Sequence, residues 1–210
     1  MKRKSKKKVF AVLMCAVLAA TGIVGTTFAI LHKSSEPAQN KFKGSAVNIG
    51  VLEDGKILED GDNQKTYPKI TSDGVAKSVK IKNIDSEEYP TADTYVRVRL
   101  VPIFRDANGA TIAADMSKVL YTYGENTDGN WLVKDVGGSD YYYYKKALAP
   151  DEETTELIIK VAYTGEIPDG ATFELRVLTE GVAAGQKDSL TAWGLPLQNP
   201  FAGLTPVANV

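Results

Sequence analysis

Residues able to do catalytic or metal chemistry are few in this 210-residue chain, which has one histidine, His32, and one cysteine, Cys15. A zinc site needs several histidine or thiolate ligands, and His32 has no second histidine or thiolate with which to build one. The Gly-x-Ser-x-Gly, Walker and His-Glu-x-x-His patterns are missing as well. The sequence therefore predicts a protein that is not an enzyme and needs no metal and no cofactor.

An acidic cluster, Glu59-Asp60-Gly61-Asp62-Asn63, offers the oxygen ligands that calcium prefers. It lacks the regular alternation of ligands and the distant closing Glu of a calcium loop. The cluster is predicted to be a solvated turn.

The N-terminus has the pattern of an export signal. Six basic residues lie within Met1 to Lys8, the stretch from Val9 to Gly25 is apolar or small, and Thr27 and Ala29 are small residues two apart. This pattern predicts a signal peptide over residues 1–29, cleaved between Ala29 and Ile30. The alternative is an uncleaved anchor, because the run from Val9 to Leu31 is nearly free of polar side chains and just long enough to span a bilayer.

Cleavage would change the charge of the protein. Removing the six basic residues of the signal leaves 19 basic against 26 acidic residues, a net charge of −7. This charge disfavours nucleic acid or an anionic membrane as a partner. Cys15 lies within the signal, so the secreted chain is expected to have no disulfide.

Two stretches carry a family resemblance. Ala29 is followed about ten residues on by Asn40, Phe42, Gly44 and Ile49. Farther along, Trp131 precedes a Tyr-rich run, residues 140–145, and then Leu-Ala-Pro-Asp, where related proteins have Gly in place of Asp151. On these residues the chain resembles the substrates of the alternate, SipW-type signal peptidase of Gram-positive bacteria, a family that includes TasA, camelysin and BsaA.

The resemblance implies a secreted structural subunit of extracellular biofilm matrix fibres. Its expected partners are further copies of itself, the alternate signal peptidase and other matrix components. Because camelysin is described as a metalloprotease, that activity is the enzyme alternative that the resemblance brings. The chain supplies none of the usual ligands for it.

In the family, the segment freed by cleavage adds a strand to the sheet of the next subunit, a form of β-augmentation. Here residues 30–43 are the predicted donor segment. The residues expected to mediate polymerisation are Ile30, Leu31, His32, Lys33, Asn40, Phe42 and Gly44.

The donor segment has little apolar content, so a second contact between subunits is expected. One candidate is the uncharged apolar tail from Leu195 to Val210. The other is a spontaneous Lys-to-Asn or Lys-to-Asp isopeptide bond between subunits, with Lys33, Lys41 and Lys43 as the amines.

Short alternating segments predict the fold. Val75, Val79 and Ile81 share one face of a strand, and Val96, Val98 and Leu100 share a face of the next, which Pro102 is expected to end or to place at an edge. Seven or eight such segments predict an all-β antiparallel sandwich of Greek-key type, and the resemblance narrows this to a jelly-roll-like sandwich. A short helix is expected within residues 112–120. The predicted domain is 44–194, followed by the tail, 195–210.

Tyr141 to Tyr144 lie on one predicted strand, so Tyr141 and Tyr143 are expected on one face and Tyr142 and Tyr144 on the other. One pair should pack inward while the other covers the sheet. An exposed Tyr face and a free apolar tail would instead suit the alternative function, a monomeric secreted or surface-attached binding module of the adhesin type.

Overall fold

The computed structural model describes residues 47–58, 66–67, 69–167, 169–186 and 188–208. These residues also contain two 3-10 turns, Met116–Lys118 and Ser189–Trp193. The described strands are β1 (Ile49–Glu53), β2 (Lys56–Ile57), β3 (Thr66–Tyr67), β4 (Val75–Asn83), β5 (Thr94–Arg105), β6 (Thr111–Ile112), β7 (Val119–Tyr123), β8 (Trp131–Asp135), β9 (Asp140–Tyr144), β10 (Ile158–Tyr163), β11 (Thr172–Ala183) and β12 (Thr205–Pro206).

The strands form two antiparallel sheets. The first has the order β2-β1-β4-β10-β7, and the second has the order β12-β8-β9-β5-β11-β3, with β6 paired to β5. In the inner triplets, β4-β10-β7 and β9-β5-β11, no two neighbours are consecutive along the chain. Greek-key windings produce this interleaving because the chain repeatedly crosses from one sheet to the other. The predicted antiparallel sandwich of the jelly-roll type is confirmed.

Period-two alternation supplies the core between the sheets. On β4, Lys77, Val79, Ile81 and Asn83 are buried while the residues between them are partly exposed. The ring of Phe104 on β5 lies 4.7 Å from that of Tyr163 and 5.1 Å from that of Phe173. Other fully buried residues are Val96, Val98, Leu148, Leu157, Ile158, Val161 and Leu175.

Strand β5 does not end at Pro102. It continues to Arg105, and Pro102 pairs with Leu175 of β11. The neighbour on the other side, β9, pairs with β5 only at Arg97 and Val98. Pro102 therefore lies where β5 has a strand on one side only, which is where a residue without an N–H group is tolerated.

The Tyr-rich run and the Thr-rich turn that follows it are joined by one cluster. Trp131 pairs with Tyr144 across β8 and β9, and their ring centroids are 5.0 Å apart. Trp131 Nε1 donates to the Thr155 carbonyl at 3.0 Å, and the Thr155 N–H donates to the Tyr144 hydroxyl at 3.3 Å. Both aromatic residues therefore fix the connection that crosses to the first sheet.

Asn83, at the end of β4, joins three segments. Its side-chain Nδ2 donates to the carbonyls of Ala92 at 2.9 Å and Leu148 at 3.0 Å. Its backbone carbonyl accepts from Asp151 at 2.8 Å. Asp151 has a φ of 64°, a left-handed conformation that glycine adopts without strain, which explains why a turn residue is needed there.

The prediction of a short helix within residues 112–120 is wrong. Only Met116–Lys118 form a 3-10 turn, in which Asp115 accepts from the Ser117 N–H. Val119 begins strand β7, which pairs with β10. The β-branched and aromatic residues of this segment gain more from packing on the sheet than a short isolated helix provides.

Asn83→Asp should lower the free energy of unfolding by about 2–5 kcal/mol, because two buried carbonyls would lose their donor and face an acceptor instead. Urea denaturation measures the change. Asn108→Asp, in an exposed turn, is the matched control and should change stability by no more than about 0.5 kcal/mol. Equal stability of the two variants would contradict the role assigned to Asn83.

Candidate functional site

The predicted cleavage and polymerisation residues lie outside the described residues. These are Ala29, Ile30, Leu31, His32, Lys33, Asn40, Phe42 and Gly44, and the same holds for Lys41, Lys43 and the acidic cluster 59–63. The described residues form the domain to which, in the prediction, the donor segment of another subunit would add a strand.

The described chain begins at Val47, beside the end of β11. A Cβ atom placed on Gly181 would lie 2.7 Å from Val47 Cγ1 and 3.0 Å from Ile49 Cδ1. Gly181 therefore permits the first residues of the domain to pass close to β11. Asn48 holds this segment to the end of β4, because its carbonyl accepts from the Ile84 N–H at 2.7 Å and its Nδ2 donates to the Ile84 carbonyl at 3.1 Å.

Strand β11 has one incompletely paired edge. All twelve of its residues pair with β5 on one side. On the other side, among the described residues, only Phe173 and Glu174 pair with a strand, β3. The stretch from Leu175 to Glu180 thus presents backbone donors and acceptors with no described strand beside them, which is the geometry that β-augmentation uses.

The outer face of the second sheet is covered by the C-terminal segment. Tyr143 is 0% exposed and packs with Trp193 and Leu195, and the Tyr143 and Trp193 rings are 5.9 Å apart. Tyr142 and Tyr144 face the core between the sheets. The side chains therefore alternate as predicted, and the C-terminal segment buries Tyr143 and partly covers Tyr141.

Hydrogen bonds at Asn126 hold the far end of this tail. Asn126 Nδ2 donates to the carbonyls of Trp131 and Val207, both at 2.9 Å, and the Val207 N–H donates to the Trp131 carbonyl at 3.0 Å. The adjacent β12 pairs with β8. The tail is thus docked by backbone bonds as well as by apolar contact.

Arg97 lies within the face of the second sheet that the C-terminal segment covers. Its guanidinium carbon is 4.5 Å from the Tyr141 ring centroid and 5.1 Å from that of Trp193. Its Nη2 donates to Glu180 Oε2 at 2.7 Å. Arg97 therefore uses cation–π contacts and an ion pair within the domain, and only 14% of its side chain is exposed.

Two hollows of the described surface differ in size and lining. One, of about 170 Å³, is lined by Tyr95, by residues before and within the second 3-10 turn such as Gln186 and Leu190, and by tail residues such as Pro196, and it is smaller than a typical ligand pocket of about 300–1,000 Å³. Another, of about 490 Å³, is lined mainly by charged and polar residues that pair with one another, such as Lys80 with Glu153 and Ser78 with Glu156. In the described part of the chain, no group of three or more His, Cys, Asp or Glu residues could hold a metal ion.

The largest pKa shifts belong to groups in the interior. Burial raises the pKa of Tyr142, Tyr121 and Tyr123, and the hydroxyls of Tyr123 and Tyr142 are 3.1 Å apart. Burial also raises the pKa of Tyr67 to about 12, with the Asp54 carboxylate adding to the effect. None of these tyrosines lines either hollow, so their shifts reflect burial in the core rather than a reaction site.

Sequence reasoning missed one buried pair of charges. Lys77 and Glu53 form an ion pair in the interior, with side-chain exposures of 0% and 5%. The sequence contains a signal for this pair, because side chains two residues apart on a strand share a face. Lys77 is an even number of residues from the apolar residues Val75, Val79 and Ile81. Glu53 is likewise an even number of residues from Ile49 and Val51, so both charged side chains are placed on the inward face.

No protein-family model, curated protein or solved structure matches this chain. Within the described residues, no helix is long and apolar enough to cross a membrane.

Trp193→Ala should release the tail from the second sheet, since truncating a buried Trp costs about 3–5 kcal/mol. Limited chymotrypsin digestion should then cut at Phe201 or Leu204 while the sandwich stays intact, as followed by mass spectrometry. Leu197→Ala is the control, because Leu197 on the same tail is 55% exposed. Protection of the tail in Trp193→Ala equal to that in the Leu197→Ala control would contradict this docking.

Proposed function

We propose that this protein is a secreted structural subunit that polymerises into extracellular fibres of a biofilm matrix. In this proposal, residues 30–43 of one subunit add as a strand along the edge of β11 in the next. The observation that carries the proposal is the stretch from Leu175 to Glu180, which has a strand partner on one side only among the described residues.

The position of the first described residues supports the same edge. Strand β1 pairs with β4 in the first sheet, while Val47 and Ile49 approach β11 of the second sheet at Gly181. A donor strand along β11 would lie beside the stretch from Leu175 to Glu180, which has no described strand on that side. The donor segment precedes Val47 in the chain, and Val47 lies close to β11. The donor segment is therefore joined to its own domain near the same edge of β11 that is proposed to accept a donor strand.

The alternative function, a monomeric binding module, is based on an exposed Tyr face and a free apolar tail. Neither feature is present in the described structure. The tail residues Leu195 and Val207 are 3% and 5% exposed, and Tyr143 is fully buried beneath the tail. Because the Tyr face and the tail pack against each other, neither presents a broad apolar surface to a ligand. The proposed role is therefore non-catalytic assembly, with copies of the same chain as the main partner.

The strength of the strand addition sets a further requirement. Ladder hydrogen bonds contribute about 0.5–1.5 kcal/mol each over the six positions from Leu175 to Glu180. Association costs about 4–15 kcal/mol, so the edge alone gives marginal binding. Because much of the apolar tail is used within its own subunit, the junction amines of Lys33, Lys41 and Lys43 are the better-supported candidates for the second lock, as a covalent bond between subunits.

Deleting residues 30–40 from the secreted chain should leave a folded monomer that forms no fibres, because the donor strand is missing and the sandwich is complete without it. Electron microscopy and size-exclusion chromatography measure assembly, and circular dichroism measures folding. The undeleted secreted chain is the control and should form fibres. Fibres that persist after the deletion would exclude this donor, and no fibres from the undeleted chain would refute the proposed function.

Two neighbouring proline substitutions test the acceptor edge. Adjacent residues of a strand point their N–H groups to opposite edges, so one of Leu178→Pro and Thr179→Pro removes an amide facing β5 and the other an amide on the open edge. The variant that loses the amide facing β5 should destabilise the sandwich. The variant that loses the amide on the open edge should fold normally and fail to accept a donor strand. Thermal unfolding separates the two variants, and electron microscopy scores their fibres. Normal fibres from the stable variant would exclude β11 as the acceptor.

A further inference from the structure

Glu53 and Lys77 bring a carboxyl group and an amine together inside the sandwich. Strands β1 and β4 are antiparallel neighbours in which Glu53 pairs with Val79, so Lys77 lies two residues along β4 on the same face. Lys77 Nζ contacts Glu53 Oε1, and the two side chains are 0% and 5% exposed.

The surroundings of this pair do not suit an ammonium ion. Apart from their contact with each other, Lys77 Nζ and Glu53 Oε1 have no hydrogen-bond partner in the described part of the chain. The centroid of the Tyr67 ring lies 5.9 Å from Nζ. An ammonium has three N–H donors, and a single carboxylate oxygen leaves most of them unsatisfied.

The other lysine pairs of the described chain differ in this respect. Lys80 with Glu153 and Lys82 with Asp151 lie at the surface, where both partners keep contact with water. In exposed pairs of this kind, water supplies the hydrogen-bond partners that the charged groups do not find in each other. Burial lowers the pKa of Lys77 to about 8, so a neutral, nucleophilic amine is accessible near neutral pH.

We propose that Lys77 and Glu53 form an intramolecular isopeptide bond that covalently joins β1 to β4. A proton first moves from Nζ to the Glu53 carboxylate, which gives an amine and a carboxylic acid. Nζ then attacks Cδ, the Nζ–Cδ bond forms, and one Cδ–O bond breaks. The departing oxygen leaves as water with two protons, one from the carboxylic acid and one from Nζ. No oxidant or reductant takes part.

Two physical effects favour this condensation. The fold holds the reacting groups in contact, which removes most of the entropy cost of bringing them together. The product replaces two buried charges by one neutral amide, which has one donor and one acceptor and is far easier to bury. The bond does not depend on the proposed function. In a fibre of that kind it would anchor β1, the described strand nearest to the donor segment.

Peptide mapping of the wild-type protein tests the bond directly. After denaturation and trypsin digestion, residues 44–56 should be recovered joined to residues 70–80, with a mass one water molecule below the sum of the two peptides. Trypsin should not cut at Lys77, because its amine is acylated. Separate recovery of residues 44–56 and 70–77, with no joined product, would overturn the proposal.

Substitutions supply the controls. Glu53→Ala and Lys77→Met should abolish the joined peptide, whereas Lys80→Met, at a partly exposed position on the same strand, should retain a joined product. Glu53→Gln separates chemistry from packing, because an amide can react with loss of ammonia to give the same linked product. A joined peptide that persists in Lys77→Met would show that another lysine reacts and would refute the assignment. The wild-type map remains decisive even where a variant fails to fold.

Discussion

Strand β4 is the constraint on which the rest of the sandwich depends. It pairs with β1 on one side, and on the other with β10 and the segment from Thr154 to Leu157, whose N–H groups donate to the β4 carbonyls of Ile81 and Val79. Its inward face carries a polar residue near each end, Lys77 and Asn83, both fully buried. Since buried polar groups need partners, these two residues fix which segments lie against the strand.

The two ends of β4 satisfy this need differently. Asn83 donates to the carbonyls of Ala92, on the segment that leads into the second sheet, and Leu148, on the segment that leaves it, so it links the sheets with neutral hydrogen bonds. Among the described residues, Lys77 Nζ has only the Glu53 carboxylate, on the neighbouring strand, as a partner. A buried ion pair contributes little net stability because desolvation offsets the attraction. The proposed bond between Lys77 Nζ and Glu53 Cδ would remove that cost, because it replaces the two charges by a neutral amide, and would make the Lys77 end of the strand the more permanent of the two.

The outer face of the second sheet shows how a small domain uses its tail. A Tyr-rich strand has apolar rings on both faces, and one face of any two-sheet sandwich points away from the core. Trp193 and Leu195 cover the ring of Tyr143, and the guanidinium of Arg97 fills the space between Tyr141 and Trp193. Because this second, smaller apolar cluster is closed within the domain, the proposed assembly relies on the backbone groups at the edge of β11 and not on an apolar patch.

The sequence by itself determined several of the strands and which of their side chains share a face. The parity of Val75, Val79 and Ile81 and the alternation from Tyr141 to Tyr144 follow from the two-residue period of a strand, which is a local property. The same alternation places the side chains of Lys77 and Glu53 on the inward face, although the sequence does not reveal that the two side chains contact each other. The tertiary structure decided the pairing, the strand at residues 119–123 in place of a helix, and the covering of Tyr143 by Trp193. These features depend on contacts between residues far apart in the chain, whose free energy no local pattern contains.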